Sequence, residues 1–194
     1  MVRPTHRTLA IVTAVLLPAL AWGWHERAQR IEAQDTASTA ATQIAGRPVR
    51  VLCPGILKRT FLHEINHGSV RFYDGKPVND AHLSGTVCAG LRRLISDGPA
   101  LDLACLQLDT CSKDDTRVAL GVAVLTHESV HLRGVMDEAA TECEAVRRSA
   151  GVARLLGASP QAAAYIADWQ FSVADDNLPQ QYQSAGDCRF VSTA

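Results

Sequence analysis

Residues 116–132 read TRVALGVAVLTHESVHL, and the fold turns on this stretch. Its first half is almost unbroken apolar residues, as expected of a helix buried on all sides, so it belongs at the centre of a domain. Gly134 stops it. Asp137 is suited to cap a second helix from Glu138 to about Leu156, and Gly157 to close that one. Ser159 and Pro160 open a third helix, running from Gln161 to about Val173. Beyond it Pro179, Gly186 and Cys188 mark an ordered coil tied back by a disulfide.

Upstream the pattern changes. Residues 48–53 (PVRVLC) are short and β-branched, and residues 69–73 (SVRFY) alternate before the turn pair Asp74 and Gly75, so both are expected as strands of a small sheet or hairpin. Residues 87–95 (VCAGLRRLI) have helical spacing, whereas residues 101–115 form an acidic, loop-like stretch with two cysteines. The expected domain is therefore α+β and mostly helical, spanning residues 48–194. Residues 25–47 are polar and rich in Ala, Thr and Gln, with few large apolar groups, and are expected to form a spacer or a frayed helix.

Residues 1–24 have the pattern of a targeting segment. Arg3, His6 and Arg7 make a basic head, an uncharged run follows from Thr8 to Trp24, and Ala19 to Ala21 supply a small-x-small site for cleavage after Ala21. Against cleavage, Trp22 and Trp24 lie where the aromatic belt of an uncleaved signal-anchor would sit. Both options put the domain outside the cytoplasm, secreted or membrane-anchored, and six cysteines suit an oxidising compartment. Three disulfides are expected: Cys105 with Cys111, Cys143 with Cys188, and Cys53 with Cys88. At 194 residues and 47% apolar content the chain can bury a core. A net charge of -1 speaks against a nucleic-acid partner, and a membrane enters only through the N-terminal segment.

His127, Glu128 and His131 fit HExxH on the strongest helix of the chain. Residues at i and i+4 share a helix face, so both imidazoles reach one cation, while Glu128, turned about 100° away, approaches a metal-bound water as general base. With this motif, the stretch THESVHLRGVMDEAATECEA (residues 126–145) resembles the zincin metallopeptidases, and in particular the gluzincins. The resemblance covers about 20 residues. It implies a zincin-like core, a zinc cofactor, a peptide or protein substrate, and a third ligand from a glutamate on the next helix. Carried over, Glu138 is that ligand and Glu142 a carboxylate that steadies a ligand histidine. Only six residues separate His131 from Glu138, fewer than in most gluzincins, and a tight helical hairpin has to bridge them.

The run HESVHLRGVMD also fits HExxHxxGxxD, which nominates Asp137 instead, so Glu138, Glu142 and Asp137 all remain open as third ligand. A second HExxH, at His63, Glu64 and His67, precedes a strand-like run with no acid-bearing helix after it, and is a weaker candidate for metal. Arg133, Arg147, Tyr165, Tyr182 and His82 are groups of the kind that stabilise an oxyanion, but their spacing ties none of them to the motif. Trp169 and Phe171 are expected in the core or as the wall of a groove. Apart from a peptidase, two classes stay open: a zinc-binding pseudoenzyme, and a disulfide-held extracellular interaction module.

Overall fold

The structure, a computed structural model, describes residues 6–55 and 66–176. In chain order the elements are α1 (His6–Ala45), β1 (Arg50–Leu52), β2 (Gly68–Tyr73), β3 (Lys76–Leu83), α2 (Gly85–Asp97), α3 (Lys113–Arg133), α4 (Glu138–Leu155) and α5 (Pro160–Asp176). Two short 3-10 turns, Gly98–Ala100 and Ala104–Leu108, link α2 to α3. The domain is mostly helical with one small sheet, as the sequence patterns predict.

The central helix starts three residues earlier than its apolar run. Ser112 caps it, its hydroxyl accepting from the Asp115 N–H, and Asp114 and Asp115 lie in the first turn, where negative charge meets the positive end of the helix dipole. These acids, expected in a loop, belong to the helix. At the other end Gly134 takes a φ of 110° and its N–H returns to the His131 carbonyl at 2.9 Å. That left-handed conformation suits glycine. Between the caps Val118, Ala119, Val122, Leu125, Val130 and Leu132 are fully buried.

Helix α2 crosses α3 backbone to backbone. A Cβ built on Gly90 would lie 1.9 Å from the Arg117 carbonyl oxygen, so only a residue without a side chain permits this approach. Gly90→Ala is therefore expected to force the two helices apart and lower stability by about 1–3 kcal/mol, read from the midpoint of urea denaturation. An unchanged midpoint would contradict the backbone contact between Gly90 and Arg117.

The segment expected as a spacer or a frayed helix is helical, but it packs into the domain and is not a spacer. Residues 26–45 form the second half of α1, and Ala33, Ala37, Ala40, Ala41 and Ile44 are buried against the core. The reason is that small residues at helical spacing allow close packing with little apolar bulk, which composition alone does not reveal. The polar residues have a task too. Gln34, Ser38 and Thr42, one turn apart, accept from the N–H groups of Cys53, Val51 and Val49 at 2.8, 2.9 and 3.2 Å. They cover the edge of β1 that would otherwise be open.

The sheet order is β1-β3-β2, with β1 parallel to β3 and β2 antiparallel to it, and a register shift between Val70 and Phe72. Asp74 and Gly75 both take positive φ, the geometry of a tight hairpin turn that matches strand twist. Arg47 bonds the carbonyls of Pro77, Val78 and Leu132, so one guanidinium joins the end of α1, β3 and the last turn of α3.

Cys53 pairs with Cys88, and Cys105 with Cys111, as expected. Cys143 is also disulfide-bonded, and its expected partner Cys188 lies outside the described residues. So do Tyr182, the C-terminal coil, and His63 and Glu64 of the upstream motif. Ala21, the expected cleavage position, falls within the continuous α1. Among the described residues no helix is long and apolar enough to cross a membrane.

Candidate metal centre

The turn after α3 brings the two acid-bearing elements together. Gly134 reverses the chain, Asp137 caps α4 by accepting from the Ala140 N–H at 2.8 Å, and Glu138 begins α4 opposite the histidines. This four-residue connection bridges the short spacing between His131 and Glu138. The Nε2 atoms of His127 and His131 are 3.1 Å apart, and Glu138 Oε2 lies 3.1 Å from the first and 3.3 Å from the second.

Hydrogen bonds on the far side of each ring assign the tautomers. His131 Nδ1 lies 2.7 Å from the Val135 carbonyl oxygen, and His127 Nδ1 lies 2.8 Å from Glu142 Oε2. Both partners only accept, so each Nδ1 donates its hydrogen, and in the neutral rings each Nε2 carries a lone pair. With both rings neutral in these tautomers, two nitrogen lone pairs and a carboxylate oxygen face one another with no donor among them. Such a triangle of acceptors repels itself unless a cation sits between them. Ligands at about 2.0–2.1 Å around a tetrahedral zinc stand about 3.3 Å apart, so the observed separations fit.

The acids around the triangle also act on His127 itself. Burial pushes the His127 pKa down, but the hydrogen bond to Glu142 and the charges of Glu142, Glu128 and Glu138 outweigh it, and the net shift is upward.

Glu128 stands beside this group, only 6% exposed, and its Oε2 has no hydrogen-bond partner among the described residues. Burial raises its pKa to about 7, with the charge of Glu138 adding to the rise and His127 opposing it. A Cβ on Gly68 would lie 2.6 Å from Glu128 Oε1, so the start of β2 presses directly on this carboxylate. Around these groups lies a cleft of about 700 Å³, lined by Leu120, Ala123 and Val124 of α3, by residues of β2, and by Trp169 and Val173 of α5.

Of the three acids considered as third ligand, Glu138 lies in the triangle, Glu142 lies behind His127, and Asp137 is engaged as a cap. Trp169 lines the cleft wall, while Phe171 is partly exposed beyond it. Arg133 pairs with Glu144 at 3.0 Å, Tyr165 bonds Gln161, and neither they nor Arg147 nor His82 line the cleft. His67, the last residue of the upstream motif, does line it. Cys105, Cys111 and Asp115 also cluster, but their sulfurs are joined in a disulfide and offer no thiolate.

Two residues of the site carry no sequence signal. Gly68 looks like a helix stop, and Gln170 is one polar residue in an ordinary amphipathic run. Yet Gln170 is 3% exposed and its Nε2 donates to Glu142 Oε1 at 3.0 Å. No family model, curated protein or solved structure matches this chain.

Proposed function

We propose that this chain is an exported zinc-dependent metallopeptidase in which His127, His131 and Glu138 hold the metal and Glu128 is the general base. The observation that carries the reading is the triangle of His127 Nε2, His131 Nε2 and Glu138 Oε2, all acceptors within 3.3 Å of one another. Zinc bound there supplies a water acidified toward neutrality and a Lewis acid for a substrate carbonyl. Glu128 takes the proton of the attacking water and returns it to the leaving amine. Its buried oxygen, without a hydrogen-bond partner among the described residues, and its pKa of about 7 suit a group that must hold a proton briefly and release it.

Support for a peptide as substrate comes from the sheet. Among the described residues β2 is an edge strand, and its Gly68, Ser69, Val70 and Phe72 line the cleft. An extended peptide laid along that edge gains main-chain hydrogen bonds. The disulfides fit the oxidising compartment that export implies.

The test is cleavage of an unstructured protein or a broad peptide library by the zinc-loaded chain. Cleavage that disappears with a chelator and returns with zinc is the expected result. A folded, zinc-loaded chain that cleaves nothing in the library would instead favour a zinc-binding module without turnover.

A further inference from the structure

The side chain of Gln170 raises a question of its own. Glu142 accepts through both oxygens, from His127 of α3 at 2.8 Å and from Gln170 of α5 at 3.0 Å. Because an ionised carboxylate only accepts, the amide must turn Nε2 toward it, which sends Oε1 the other way. There Oε1 is buried with no hydrogen-bond partner among the described residues. A buried carbonyl without a donor weakens a fold, and a methionine or leucine in the same space would avoid that cost. Packing alone therefore does not account for a glutamine here. Its hydrogen bond to Glu142 does.

We propose that Gln170 is a positioning residue, which by donating to Glu142 holds that carboxylate against His127 Nδ1 and so keeps the His127 Nε2 lone pair turned toward His131 and Glu138. This rests on the reading of the triangle as a metal centre. Glu142 reaches from α4 on a flexible side chain, and with only one of its oxygens held it could leave His127 without moving the backbone. Bracketing it from α3 and α5 removes that freedom. Partners that orient a ligand histidine typically change metal affinity by about 10- to 100-fold, and Gln170 acts one bond further out through the same carboxylate.

The experiment uses the full chain with Gln170→Met, and Gln170→Leu as a second replacement. Zinc affinity is measured by competition with a chromophoric chelator, and thermal stability is measured without metal. The expected result is affinity weaker by about 10-fold or more with metal-free stability equal to or above wild type. Glu142→Ala should weaken binding too, and adding Gln170→Met to it should change nothing further, because Gln170 works only through Glu142. A second readout needs no metal: at pH 9, nitrogen shifts of His127 should report hydrogen on Nδ1 in wild type and a move toward Nε2 in Gln170→Met. Affinity within twofold of wild type, effects that multiply with those of Glu142→Ala, or an unchanged tautomer would each overturn the proposal. If wild type binds no zinc at all, the metal reading falls, and the tautomer measurement alone decides the role of Gln170.

Discussion

Glu128→Gln is expected to fold, to keep its zinc and to lose peptide hydrolysis by about 10²–10⁴ in rate, since it removes the base and leaves the ligands intact. The same substitution has a second, opposite effect on the metal-free chain. The folded-state pKa of Glu128 is raised to about 7 from 4.5, so the folded chain binds this proton more tightly than the unfolded one. Its contribution to stability is then fully present below about pH 4.5 and is lost as pH rises through 7. At pH 8 the wild type carries a buried charge that glutamine does not, so the metal-free variant should be the more stable by about 1–3 kcal/mol, with the gap closing in acid. Activity and stability moving in opposite directions mark a functional carboxylate. Equal hydrolysis by wild type and variant would remove Glu128 from the mechanism and point to a contaminating protease.

The second large effect concerns the ligands. His127→Ala, His131→Ala and Glu138→Ala should each empty the site, because a three-ligand centre that loses one donor no longer competes with water for zinc. Asp137→Ala should keep the metal and lose only the cap, about 0.5–2 kcal/mol of stability. Zinc analysis after dialysis separates these outcomes. Stoichiometric zinc in either histidine variant would contradict the assignment, and loss of zinc in Asp137→Ala alone would move the third ligand by one residue.

These assignments were legible to different degrees in the sequence. The helices around the motif announce themselves, because an apolar run ending at Gly134 and a new start at Asp137 combine period and cap chemistry, whereas the cap at Ser112 lies in a stretch that reads as loop. The same logic that makes Asp137 a good cap also separates it from Glu138, which sits inside the helix. The second half of α1 was not legible. Its buried face is made of alanines, and its polar stripe of Gln34, Ser38 and Thr42 resembles a solvated face until β1 is seen against it. Nor were Gly68 and Gln170. Both reach the site from elements distant in sequence, Gly68 through a close approach and Gln170 through one hydrogen bond, and neither relation leaves a periodic mark.

The central claim is that one zinc is held by two imidazoles and a carboxylate. X-ray absorption at the zinc edge, on the fully loaded chain, tests it directly. The account predicts nitrogen and oxygen neighbours at about 2.0–2.1 Å, the outer-shell scattering of two imidazole rings, and no sulfur. A sulfur shell at about 2.3 Å, or the signature of fewer than two imidazoles, would contradict it.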